Sequence, residues 1–351
     1  MIQNELTEWD EDIDASPEEE YEALVRAIRW AKGFGLLFVQ CSPAEGERFI
    51  EQVSNSITEK TVDVLRLENE IADLYETVSS HPNIEDINVL FVTGLEKSLV
   101  PYIQAGYGSE GAYYSKDTIP KILGKLNLQR EKFKDTFKLC FVFLLPRYAM
   151  KYLTRRAADF FDWRSGVWEF VSPQEELLHE ALTILQEGDY SRYLSWTHQE
   201  RRERVLTIDD LLEEGEHSNE EVSQLRFEQG NILAADQSYK EAIASYDTAI
   251  EFKPDDHAAW YNRGIALAAL GRTEEAIASY DTAIEFKPDD HAAWSNRGIA
   301  LQKMGRNEEA VTSLLKALEL KPKLNWIEKI IRFILRRFIT PINHDKPDTE
   351  E

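Results

Sequence analysis

The twenty residues from Glu241 to Trp260 recur without change from Glu275 to Trp294, an offset of 34. A period of this length suits a helix hairpin, which cannot bury its own apolar face. Such units must stack, and about three are needed for a stable array. Extending the register outward aligns Gly230, Gly264 and Gly298, then Ala242, Ala276 and Ala310, Ala249, Ala283 and Ala317, and finally Pro254, Pro288 and Pro322. Three units follow, at 222–255, 256–289 and 290–323. The small residues let two helices approach, Trp260, Trp294, Tyr246 and Tyr280 fill the space between them, and each proline stops the second helix.

With these residues in view, the second and third units resemble the tetratricopeptide family in their order of Trp, Gly, Ala, aromatic, Ala and Pro. Arg226 stands where the first unit should carry the Trp, and Leu314 takes the aromatic place in the third. The resemblance implies an all-α solenoid whose first helices line a concave groove for a protein or peptide partner. The matching groove positions are Tyr261, Asn262, Ile265 and Ala269, then Ser295, Asn296, Ile299 and Lys303. An Asn side chain carries donors and an acceptor, so Asn262 and Asn296 are candidates for fixing an extended backbone without reading its sequence. An ordinary solvated face is the other reading of the same pair. Lys303 is the lone cation among these positions, so a grip on a free acidic tail is not expected.

Ahead of the repeats, apolar runs of strand length alternate with helical patterns: Leu36 to Gln40, Val62 to Leu67, Val89 to Thr93, Leu139 to Leu145 and Val167 to Val171. This alternation predicts an α/β domain over 23–206 with a parallel sheet covered by helices, the part from 174 to 206 being a helical extension. The order resembles the P-loop fold of AAA-like and STAND-type ATPases, as do Leu126 to Glu131, Asp162 to Arg164 and Val167 to Phe170. Set against G-x-x-x-x-G-K-[ST], the stretch from Cys41 to Arg48 keeps Gly46, while Glu47 replaces the phosphate-binding lysine and Arg48 the metal-binding hydroxyl. Thr93 stands where the third strand should end in Asp, with Glu96 beyond it. Losing these groups removes the charge stabilisation that phosphoryl transfer requires, so no hydrolysis and no cofactor are expected.

Charge patterning marks the ends and a predicted linker. Residues 1–22 hold ten Asp or Glu and no Lys or Arg, and they read as an acidic tail. Residues 207–221, with seven acids from Asp209 to Glu221 and Gly215, read as a solvated linker and domain boundary. Trp326 to Ile339, within 324–339, forms a basic amphipathic pattern: a helix capping the repeats or, alternatively, one docking on a membrane surface. Residues 340–351 read as a tail.

A net charge of −24 argues against a nucleic-acid partner. Cys41 and Cys140 lie beside or within buried strands, with no disulfide or zinc spacing, and no metal site is expected. No signal peptide and no apolar run of about 18 residues are present, which predicts a cytoplasmic protein. Gly106, Gly108 and Gly111 spell G-x-G-x-x-G, but no strand runs into them, so a flexible loop is expected. The resulting expectation is a non-enzymatic adaptor with a degenerate NTPase-like regulatory or docking domain. A nucleotide-responsive switch and a membrane-docked scaffold are the alternatives.

Overall fold

The computed structural model describes residues 16–103, 120–170 and 172–321. They divide into two compact units, one ending at Leu177 and the other starting at Leu178. The first unit runs α1 (Pro17–Trp30), β1 (Gly35–Gln40), α2 (Pro43–Ser56), β2 (Val62–Arg66), α3 (Leu74–Ser79), β3 (Val89–Thr93), α4 (Lys121–Thr136), β4 (Cys140–Leu145), α5 (Arg147–Arg156), α6 (Ala158–Phe161) and β5 (Gly166–Glu169). The start of α7 (Gln174–Gln186) closes it.

The five strands form one parallel sheet in the order β2-β3-β4-β1-β5. Central strands β1 and β4 are buried along their whole length, as their unbroken apolar runs require when both faces are covered. The connection from β1 to β2 crosses β4 and β3, whereas that from β4 to β5 crosses β1 the other way. Right-handed crossovers then place the intervening helices on opposite faces. On one face Leu37, Val39, Val89 and Val142 pack with Leu24 and Ile28 of α1 and Ile50 and Val53 of α2. Each such side chain contributes about 1.5–3 kcal/mol when fully buried. On the other, Phe38 stacks on Phe143 at 5.0 Å, and Phe143 meets Phe160 of α6 at 6.1 Å.

The second unit continues through α8 (Tyr190–Ser195), α9 (His198–Glu214), α10 (Asn219–Ala235), α11 (Tyr239–Phe252), α12 (His257–Ala269), α13 (Thr273–Phe286), α14 (His291–Lys303) and α15 (Asn307–Leu320). The last six are the three expected hairpins. Gly264 is required by close approach: a Cβ there would lie 2.5 Å from Tyr280 Cε1, and Gly230 stands in the same relation to Tyr246. Trp260 and Trp294 donate their indole N–H to the carbonyls of Pro254 and Pro288, both at 2.9 Å. The Trp and Pro of the repeat pattern are therefore partners as well as packing elements.

Several boundaries differ from the sequence expectation. The predicted acidic tail ends too late, because α1 starts at Pro17, where Ser16 and Glu19 form a reciprocal capping box. The predicted linker 207–221 is largely helical: α9 runs to Glu214 with Ile208, Asp209 and Leu211 buried, and Ser218 caps α10 through Glu221. Of its acids, Asp209 pairs with Arg226, Glu220 pairs with Lys253, and Glu221 completes the cap of α10. The unit division falls at Leu177 and Leu178, and the extension is three helices, α7 to α9. The capping or membrane helix at 324–339, the tail 340–351, residues 1–15 and the glycine run at 106–111 lie outside the described residues.

Candidate functional site

Helices α12 and α14 present the predicted groove positions in one register. Tyr261, Ile265 and Ala269 follow each other at i, i+4 and i+8 on α12, as Ser295, Ile299 and Lys303 do on α14, so each set shares a helix face. Ile265 and Ile299 are 39% and 44% exposed, unusual for isoleucines in a packed array, and Ala269 and Lys303 are exposed beside them. Asn262 and Asn296 are half-buried rather than simply solvated. Asn262 Nδ2 donates to Asn231 Oδ1 at 2.9 Å, and Asn296 Nδ2 donates to the Tyr261 hydroxyl at 3.1 Å. In each case one of the amide's two N–H donors orients the side chain.

A linked set on α8 and α10 was missed by the sequence reading. The Tyr193 hydroxyl donates to Glu228 Oε2 at 2.8 Å, and Asn231 Oδ1 accepts from both Tyr246 Oη and Asn262 Nδ2, each at 2.9 Å. Burial pushes the Glu228 carboxyl above the usual carboxylate range, and the hydrogen bonds from Tyr193 and Asn231 draw it part of the way back. Glu228 lies 34 residues before Asn262. That offset was a usable signal.

At the carboxyl end of the sheet, the expected phosphate-loop alignment is corrected. Only Cys41 and Ser42 separate β1 from α2, so Gly46, Glu47 and Arg48 lie inside the helix rather than in or just beyond a loop. The cause is Ser42-Pro43-Ala44-Glu45, a helix start with Pro in the first turn. Ser42 Oγ accepts from the Glu45 amide at 3.3 Å, and Glu45 Oε2 accepts from the Ser42 amide at 3.0 Å. A carboxylate of the chain itself, only 6% exposed, thus sits at the helix terminus where an anion would bind. Gly46 serves packing, since a Cβ there would press on Leu144 Cδ1 at 3.3 Å.

Neighbouring groups are committed in the same way. Arg66 holds the Glu47 carboxyl below its usual range through a paired hydrogen bond, Arg48 forks onto Glu176 at 2.8 and 2.6 Å, and Gln40 Nε2 donates to Glu169 at 2.5 Å. The Thr93 carbonyl accepts from the Leu67 amide at 2.9 Å, and Glu96 lies past the strand in a 3-10 turn from Leu95 to Ser98. Gly94 between them has φ 81°, and a Cβ there would strike the Leu67 carbonyl oxygen at 2.1 Å, so only glycine fits.

A cavity of about 800 Å³ opens beside α2, lined by Tyr21, Glu22, Arg48, Phe49 and Phe170 among others. Among the described residues no His, Cys, Asp and Glu side chains cluster in a metal-binding set, and no helix is long and apolar enough to cross a membrane. Burial pushes the Cys140 thiol up to about 12, which makes it a poor nucleophile.

A tetratricopeptide-repeat family model matches residues 210–257, 224–291 and 261–325, so the C-terminal part of the chain carries tetratricopeptide repeats. Similar solved structures include the Arabidopsis OM64 TPR domain, 26% identical over 34% of this chain and 98% of that one, with a TM-score of 0.31. The Sgt2 TPR domain from Aspergillus fumigatus is 25% identical over 36% of this chain and 90% of its own, with a TM-score of 0.30. The TPR2B domain of yeast Sti1, solved as a complex with pHsp70, is 21% identical over 33% and 98%, with a TM-score of 0.30. No curated protein matches the chain.

Proposed function

We propose that this protein is a non-enzymatic adaptor whose repeats hold an extended segment of a partner polypeptide across α12 and α14. The observation that carries this reading is the row of exposed Ile265 and Ile299 beside Asn262 and Asn296, whose amides are oriented by neighbouring helices. Apolar surface in such a row favours a partner's side chains, and fixed amides suit its backbone. Lys303 is the one cation among these positions, so the row is suited to an uncharged segment rather than an acidic tail.

In this reading the sheet unit is a degenerate relative of P-loop ATPases kept for docking or regulation. Support comes from the five-stranded parallel order, in which β4 and β1 feed crossovers of opposite direction, and from a β1–α2 turn whose anion position is filled by Glu45. A random dodecapeptide library displayed on phage and selected on the full chain tests the adaptor role. Enriched peptides should lose at least tenfold in affinity on the Asn262→Ala, Asn296→Ala variant. Equal binding to both proteins, or no enrichment, overturns the reading.

A further inference from the structure

Leu194, Glu228, Asn262 and Asn296 are separated by successive steps of 34 residues, and Tyr193, Phe227, Tyr261 and Ser295 form the adjacent row. The first member of each row belongs to α8, outside the three hairpins. Hydrogen bonding follows the same register. Asn296 bonds to the Tyr261 hydroxyl, and two periods earlier Glu228 bonds to the Tyr193 hydroxyl.

The tie from α10 back to α9 has the same direction as those in the later pairs. Each first helix is tied back to the second helix of the preceding pair by an ion pair: Arg263 of α12 to Asp247 of α11, and Arg297 of α14 to Asp281 of α13. Arg226 of α10 reaches Asp209 of α9 in the same direction, at 2.5 Å, although it stands three residues earlier in the repeat, at the place of Trp260 and Trp294. Arg201 of α9 donates to the carbonyls of Tyr193 and Trp196 at 3.0 and 2.6 Å, which fastens the end of α8 to α9.

We propose that α8 and α9 are a fourth, degenerate helix pair at the head of the array, and that Leu194 is the first contact of the row that receives the partner segment. This rests on the adaptor reading. Leu194 is 58% exposed at the position that Asn262 and Asn296 occupy in later pairs. Glu228 between them is engaged by Tyr193, so the row runs from an apolar head to the single cation Lys303. The complementary occupant is an extended segment of another protein that is apolar where it meets α8 and carries no acidic run.

Its length follows from the geometry. Packed helix axes lie about 8–10 Å apart, so three steps from α8 to α14 span roughly 24–30 Å. An extended chain rises about 3.3 Å per residue, giving a footprint of about seven to nine residues, against about five or six if the row began at α10.

The test uses a dodecapeptide selected from the random library on the full chain, measured by titration against Leu194→Glu, Leu194→Ala and the Asn262→Ala, Asn296→Ala variant. We expect Leu194→Glu to weaken binding at least tenfold, Leu194→Ala to weaken it in the same direction, and trimming the peptide to six residues to abolish the difference. If the paired Asn variant weakens binding while both Leu194 variants leave it unchanged, the three-pair groove stands and the fourth pair is overturned. If no variant weakens binding, the adaptor reading fails and this inference with it. Should Leu194→Glu lower the melting temperature, Leu194→Ala decides.

Discussion

Glu47 of α2 and Arg66 of β2 meet in a paired hydrogen bond, Nη2 to Oε2 at 2.7 Å and Nε to Oε1 at 3.2 Å. The side chain aligned with a phosphate-binding lysine is thus a carboxylate already joined to the neighbouring strand. With Glu45 at the helix terminus, the place a phosphate would take is already filled by a carboxylate. Titration with ATP or ADP should show no saturation below millimolar concentration, and Glu47→Lys should not create binding because the capping box remains. Saturation at low micromolar nucleotide would contradict this account.

Gly264→Ala places a methyl group into the ring of Tyr280, which is itself buried. Overpacking of this kind costs about 1–3 kcal/mol. Thermal unfolding should show a lower melting temperature by roughly 2–4 °C per kcal/mol for a unit of this size. An unchanged transition would mean that the hairpin is looser than its packing indicates.

Glu228→Gln should change how stability depends on pH. Because burial raises the folded-state pKa of Glu228, the unfolded chain releases a proton that the folded protein keeps, and stability falls as pH rises from the ordinary carboxylate range through the raised value. Glutamine retains an acceptor for Tyr193 and does not titrate. Urea unfolding should show the variant gaining on the parent at pH 7, with the gain shrinking towards pH 4. A variant that gains more at pH 4 than at pH 7 would reverse the sign and contradict it.

Arg226→Met removes the guanidinium that pairs with buried Asp209, a carboxylate that also accepts from Gln229 Nε2 at 2.8 Å. Breaking a buried pair by removing one charge costs about 3–5 kcal/mol, whereas replacing both by apolar residues is often neutral. Chemical denaturation should show a large loss for Arg226→Met and recovery for Arg226→Met with Asp209→Leu. A double variant no better than the single would contradict the pairing.

The repeats were legible because twenty residues recur unchanged at an offset of 34, and the strands because β1 and β4 are unbroken apolar runs. The β1–α2 junction differs from the phosphate-loop alignment for a specific reason. A phosphate-loop alignment puts Ser42 and Glu45 in a loop although their spacing is that of a capping box, and the same spacing at Ser16 and Glu19, Thr197 and Glu200, and Ser218 and Glu221 marks three other helix starts. Arg226 departs from the repeat pattern, which calls for Trp at that place in the first unit. Its cause, the buried Asp209 on α9, lies in a segment whose acidic composition suggested a linker. The Tyr193 and Glu228 contact joins residues 35 apart through space and has no local signature.

The central claim is that the surface of α12 and α14 holds a partner segment through Asn262 and Asn296. Its most direct test is calorimetric titration of a library-selected dodecapeptide into the full protein and into the Asn262→Ala, Asn296→Ala variant, with the melting temperatures of both proteins matched. The account predicts one saturable site on the parent and at least tenfold weaker binding on the variant. Equal affinity for the two folded proteins would contradict it.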